Sequence, residues 1–336
     1  MSLVDLAAAA GVVALVAYAV LGGADFGGGV FDLLARGPRR QEQRAAIARA
    51  MGPVWEANHV WLIFVVVVLF SAFPSAWAAY ATALAGPLRL ALLGIVLRGV
   101  AFVFRAYVPH HGPQHGRAEE RWGAVFGGAS IVTPFVLGAS VGAISSGRLR
   151  VAADGAVGLE GSPWLSPIAL AMGAAAASLC AWLAAVFLTV ETEGDLREDF
   201  VRRAKFAGAL VLVGALVTLP FVRVEAPHLW QGLTGRAWPI VVAGTLAGGG
   251  AFAALSAGRH RLARLLAIAQ VAMVVVGWAV AQHPYLIYPD VTLARAAAPD
   301  STLTFVLGSL PFGLALVLPS FWLLFRVFKG DAARLT

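Results

Sequence analysis

The chain has 336 residues, 60% of them hydrophobic and 13% charged, where a soluble domain is nearer a quarter charged. A mean hydropathy of +0.80 leaves too little polar surface to cover a water-soluble globule. The formal charge of +7 forms no basic stripe with interleaved aromatics, which argues against a nucleic-acid partner and leaves membrane topology to explain it.

One membrane crossing needs roughly 20 apolar residues. The apolar runs fall near 5–34, 53–72, 75–104, 122–145, 164–190, 205–222, 237–256, 262–281 and 303–327. They predict an all-α, polytopic integral membrane protein: one transmembrane domain over 1–336 with about nine spans. The first basic residue is Arg36, so the first run reads as a retained helix and not a cleaved signal. Runs two and three are parted only by Phe73-Pro74-Ser75, and a kink there in place of a turn would reduce the count to eight. The 146–163 loop has room for a short strand or hairpin. Cys180 is the only cysteine and lies inside an apolar run, so no intrachain disulfide is possible, and no haem-attachment, iron–sulfur or zinc-finger spacing exists. Glu191 to Lys205 is acidic first and basic later, with Asp195 and Glu198 spaced as a capping box; it reads as a solvated helix leading into the sixth run.

Charge alternates with the loops. The segments after runs one, three, five, seven and nine hold 18 Lys and Arg residues, among them Arg36, Arg39, Arg40, Arg44 and Arg49, and the intervening loops hold 5. By the positive-inside rule the N-terminus is outside and the C-terminus cytoplasmic.

Most acids lie in loops, and the exceptions are informative. Asp25 sits in Gly22-Gly23-Ala24-Asp25-Phe26-Gly27-Gly28-Gly29, Glu56 in Trp55-Glu56-Ala57-Asn58-His59-Val60-Trp61, and Arg98 lies within the third run with Arg89. A charge at bilayer depth costs about 2.5–3.5 kcal/mol on insertion scales, so such residues face the protein interior, find partners or serve transport. Glu56, His59 and Ile63 share a helix face by spacing. A carboxylate and an imidazole one turn apart can pass a proton, so Asp25, Glu56 and His59 form a candidate proton path from the cytoplasm. Each has a plainer reading: Asp25 as a cap among glycines, Glu56 as a first-turn acid or partner of Arg98, His59 as a satisfied interior histidine. Arg98 and Arg105 are candidates for structural ion pairs or haem-propionate contacts. The glycines serve either close helix packing or an unwound turn beside a wet cavity. His110, His111 and His115 read as a polar turn, with metal binding as the alternative. From the residues alone, a proton-coupled transporter and a respiratory subunit fit equally.

Four segments resemble subunit II of the cytochrome bd quinol oxidases. They are Gly22 to Gly29; Gly52-Pro53-Val54-Trp55-Glu56-Ala57-Asn58-His59-Val60-Trp61-Leu62-Ile63 with Ala72-Phe73-Pro74; Leu97-Arg98-Gly99-Val100-Ala101-Phe102; and Tyr285-Leu286-Ile287-Tyr288-Pro289 with Thr292. The resemblance implies two four-helix bundles and one peripheral helix. It also implies a heterodimer in which subunit I carries haem b, haem d and the quinol site. Subunit II would stabilise that partner and help bring cytoplasmic protons to dioxygen, with no catalytic centre or metal of its own. The resemblance leaves room for a small single-helix accessory subunit and for a structural quinone or lipid, and places the chain in the bacterial inner membrane. Asp25 matches the family's second first-helix aspartate, and Glu56 matches the aspartate after the tryptophan. Gly22, Gly23, Gly27, Gly28, Trp55, Asn58 and Trp61 make up the helix-packing signature. Gly22 stands where the family usually has another acid, and His59 where it has Glu or Gln, so His59 is open to a proton-transfer, haem-contact or packing role.

Overall fold

Ser2 starts the first helix. Its hydroxyl accepts from the Asp5 amide while the Asp5 carboxylate accepts from the Ser2 amide, a reciprocal cap. From there α1 (Leu3–Leu33) runs unbroken through the glycine block, so the unwound-turn reading of those glycines gives way to the close-packing one. The fold comes from a computed structural model that describes the backbone of residues 2–107 and 115–330. The side chains of 52–56, 105–107, 115–119, 324–325 and 327–330 fall outside that description.

After α1 come α2 (Arg40–Ala72), α3 (Pro74–Ala83), α4 (Ala85–Tyr107) and α5 (His115–Ser145). Phe73 ends α2 on the Leu69 carbonyl, and Pro74 opens α3 at the position where a missing amide costs nothing. The sequence reads 75–104 as one span, but the chain breaks it at Leu84. Pro87 has no amide to bond the Ala83 carbonyl, which is where α3 stops. α2 also begins well before the apolar run, and its first turns carry Arg40, Glu42, Arg44 and Arg49. Beyond α5, strands β1 (Leu149–Val151) and β2 (Val157–Leu159) pair antiparallel, the hairpin expected in the 146–163 loop.

Then follow α6 (Pro167–Glu191), α7 (Gly194–Glu225), α8 (Pro227–Thr234), α9 (Trp238–Ser256) and α10 (His260–Gln282). A second hairpin, β3 (Tyr285–Ile287) and β4 (Val291–Thr292), leads into α11 (Leu293–Ala296) and α12 (Asp300–Gly330). Eight described helices are long and apolar enough to cross a membrane. The count reaches nine if Ala57–Ala72 and Pro74–Ala83, bent by 117°, form one span. The protein is therefore an all-α, multi-pass membrane protein.

In chain order the long helices form a first group, α1, α2, α4 and α5, and a second, α6, α7, α9 and α10; α1 and α5 pack closely on α6 across the two, and α12 lies against α2 and α1. Because lipid is as apolar as the helices, close contact and hydrogen bonds must hold the groups together. The Trp182 indole donates to Gln270 Oε1 at 3.0 Å and ties α6 to α10; Trp278 donates to Ser145 Oγ at 3.0 Å and ties α10 to α5.

The polar ends differ. One carries the arginine-rich loops, cross-linked by Arg39 to Asp199 at 2.9 Å and Asp195 at 3.2 Å, Arg40 to Glu120 at 3.5 Å, and Arg264 to Glu191 at 3.2 Å. The Asp195–Glu198 capping box does not form, since α7 has no side-chain cap and Asp195 turns to Arg39. Nor is the start of α7 wholly solvated, because Asp199 is buried and bound by Arg39, Gln43 and Arg202.

At the other end the two hairpins join where Arg150 meets Asp290 at 2.8 Å and the Val151 amide donates to the same carboxylate at 2.9 Å. The Arg150 guanidinium holds the Asp290 carboxyl below the usual carboxylate range, with the Val151 amide adding to it. A lowered folded-state value means stability fully present above the unfolded pKa of about 3.9 and lost as pH falls through the lower folded value. Below about pH 4, the melting temperature of the wild type is expected to fall more steeply than that of Asp290→Asn. Parallel curves would show that Asp290 carries no such linkage.

Candidate functional site: a buried ion pair among four helices

Four helices of the first group place one polar side chain each at a single buried point. α1 supplies Asp25, α2 Asn58, α4 Arg98 and α5 Ser130, all at most 3% exposed. The Arg98 fork grips Asp25 from both nitrogens, Nη1 to Oδ2 at 2.5 Å and Nη2 to Oδ1 at 2.5 Å. Nη2 also donates to the Asp25 backbone carbonyl at 2.9 Å, and Nε donates to Ser130 Oγ at 2.8 Å. The Asn58 amide donates to Oδ2 at 2.7 Å, and the Ser130 hydroxyl donates to the Phe126 carbonyl at 2.7 Å. The guanidinium lies 5.1 Å from the Phe26 ring centroid and 4.7 Å from that of Phe126. Bidentate, charge-assisted bonds with aromatic faces beside the cation make up much of what two charges lose on leaving water.

Of the sequence candidates, this clasp unites Asp25, Arg98 and Asn58. Arg98 is ion-paired with Asp25. His59 is half-buried on α2, and Ile63 on its face is 62% exposed, so Asn58, one residue earlier, reaches Asp25. The side chains of Trp55, Glu56 and Arg105 lie outside the described residues, as do those of His110, His111 and His115. Trp61 meets Phe64 edge-on at 6.2 Å. Among the described residues, no three or more His, Cys, Asp or Glu side chains are grouped to hold a metal ion.

The glycines divide by position. A methyl on Gly27 would collide with the Cys180 carbonyl and Ala184 of α6, and one on Gly28 would lie 2.8 Å from Met51. On Gly22 and Gly23 its nearest neighbours would be side chains, at 3.2 and 3.4 Å. Gly29, outside the predicted packing set, is as tight as Gly27, for it faces Ser130.

Three further residues escaped the sequence reading. Ser130 gave no signal in a run of small residues. Asp32 is a buried acid on α1, 3.8 Å from Arg44, and Asp199 is buried on α7. Both lie close to basic loops and look there like ordinary loop charge. Asp25–Arg98 and Asp32–Arg44 thus recur along the first group toward its arginine-rich end, where Arg39 also reaches across to Asp199 of α7.

The family described as cytochrome bd terminal oxidase subunit II matches residues 3–328. The cytochrome bd ubiquinol oxidase subunit 2 of Bacillus subtilis (strain 168) is 32% identical over 217 residues, 64% of this chain and 60% of that protein. The cytochrome bd-I ubiquinol oxidase subunit 2 of Escherichia coli (strain K12) is 27% identical over 230 residues, 66% of this chain and 56% of its own length. The matched stretches thus span less than two thirds of either relative. The bd oxidase structure from Geobacillus thermodenitrificans shares the fold at a TM-score of 0.82 and 22% identity, covering 98% of this chain and 99% of that one. These matches do not favour the transporter reading. With the family match running through the four helices of the clasp, the chain belongs to the cytochrome bd terminal oxidase subunit II family.

Proposed function

We propose that this chain is the haem-free second subunit of a bd-type terminal oxidase, stabilising a haem-bearing subunit I and helping to bring cytoplasmic protons to dioxygen as quinol is oxidised. The family match over residues 3–328 carries this reading. The haems, of b and d type, belong to the partner in this proposal, and the redox chemistry with them. A structural quinone and a single-helix accessory subunit are further components the assembly would accommodate. The chain would sit in the bacterial inner membrane with its N-terminus outside and its arginine-rich end in the cytoplasm.

Within this chain the proton route would run through Glu56 and His59 toward Asp25. A proton arriving on Asp25 must displace a guanidinium bonded to both carboxylate oxygens. Asp25 therefore serves best as a fixed charge that orients the route, and Glu56 and His59 serve as its carriers.

A reduced-minus-oxidised visible spectrum of the tagged chain, purified gently from its native membrane, tests the assembly. Haem b and d bands with a co-purifying larger subunit are expected; a haem-free single chain across several mild detergents would return transport to first place. For the route, Glu56→Gln is expected to slow oxygen reduction more than it lowers haem content. Normal turnover in proteoliposomes would remove Glu56 from the path, and loss of all haem would give it an assembly role.

A further inference from the structure

The amino ends of α7 and α10 meet at the arginine-rich end of the bundle, around a cleft of about 550 Å³. Arg197, Arg202 and Lys205 of α7 line it, with Ser256 and Gly258 of the turn after α9 and His260 of α10. Neither helix start carries a side-chain cap, for Glu193 and Arg259 make no capping bond. The first amides of both helices are thus left for another acceptor, and both dipoles favour an anion. His260 is half-buried, and its Nδ1 atom is shielded from solvent with no hydrogen-bond partner among the described residues.

Two acids oppose these cations at the cleft. Asp195, which also lines the cleft, is held by Arg39 at 3.2 Å, and Glu198 is exposed. Arg202 uses one nitrogen on Asp199 at 2.5 Å, and Arg197 uses Nε on the Thr192 carbonyl at 2.6 Å. Among the described residues, the ammonium of Lys205 and the remaining guanidinium nitrogens have no partner and are left for a ligand. Apolar surface begins directly beside them. Phe206, next along α7, is 68% exposed, and Leu265 on α10 is 63% exposed. Phe252 of α9, 40% exposed, comes against α7 at Gly208.

A cationic cleft with donors above and apolar flanks below suits a ligand with an anionic head and hydrocarbon tails. We propose that it binds the phosphate head of an acidic phospholipid, with the acyl chains on the exposed faces of α7 and α9. The lipid would brace the turn between α9 and α10 against α7. The inference rests on the multi-pass membrane fold and is independent of the proton route.

The test uses the chain purified with its co-purifying subunit, stripped of lipid in non-ionic detergent. It is titrated with phosphatidylglycerol, phosphatidylcholine or inorganic phosphate, and bound lipid is counted by native mass spectrometry. One retained phosphatidylglycerol is expected and no retained phosphatidylcholine. Lys205→Gln should weaken retention about fivefold, as one interfacial cation does, while Lys205→Arg and the outlying Arg261→Gln should not. If Lys205→Gln yields no complex, Ser256→Glu, at an exposed cleft position, should abolish retention by adding a like charge. Retention unchanged in Lys205→Gln or in Ser256→Glu would overturn the site. Thermal protection by inorganic phosphate equal to that by the lipid would overturn the lipid in favour of a free anion. None of these readouts depends on the haem spectrum, so this proposal and the oxidase reading fail separately.

Discussion

Asp25→Asn is expected to destabilise the protein by about 3–5 kcal/mol, as removal of one member of a buried charge pair does. The substitution keeps the shape and removes only the charge. It leaves the Arg98 cation 3% exposed, facing an amide that can accept one of the two fork bonds and must turn its nitrogen toward the other. Against a total stability of about 5–15 kcal/mol, the loss should show as a large fall in melting temperature and in the yield of assembled complex. The double variant Asp25→Asn/Arg98→Gln separates structure from proton chemistry. It removes both charges and leaves amide partners for Ser130 and Asn58, so folding should largely return. If turnover returns with it, Asp25 is a structural anion; if folding returns without turnover, its charge serves the proton route. A single variant melting like the wild type would refute the clasp as a stabilising element.

Hydropathy and charge made most of the fold legible. The apolar runs gave the long helices because a span must satisfy its backbone internally, and arginine placement separated the two ends. What the runs missed came from backbone chemistry that hydropathy averages away. Leu84 breaks an apolar stretch because Pro87 deprives Ala83 of a donor, and α2 extends through a charged segment because its arginines find acids on other helices. The site was half legible. Asp25 and Arg98 stood out because a charge in a span demands a reason, but the residues offered Glu56 as a partner of Arg98, and the structure pairs Arg98 with Asp25. Asn58 was singled out for packing and proves to be a ligand of Asp25. Ser130 was invisible, because a serine in a helix carries no pattern that distinguishes a clasp from a filler.

The second large effect concerns backbone approach and needs no charge. Gly27→Ala is expected to separate α1 from α6, because the added methyl falls on the Cys180 carbonyl and on Ala184. Overpacking a tight contact costs about 1–3 kcal/mol when neighbours can shift. Here the obstacle includes backbone, so the change should lie at or above the top of that range. α1 touches both helix groups, so a displacement at Gly27 also moves Asp25, half a turn away, relative to Arg98. Loss of assembled complex and of melting temperature should therefore come together. Two substitutions calibrate the result. Gly23→Ala places its methyl 3.4 Å from Leu183, an ordinary contact, and should fold normally. Gly249→Ala meets nothing within 4 Å and should stabilise α9 by about 0.5–1 kcal/mol through reduced backbone freedom. If Gly27→Ala melts as Gly23→Ala does, the helices are held apart by more than the structure indicates, and the glycine block owes its place to something other than contact with α6.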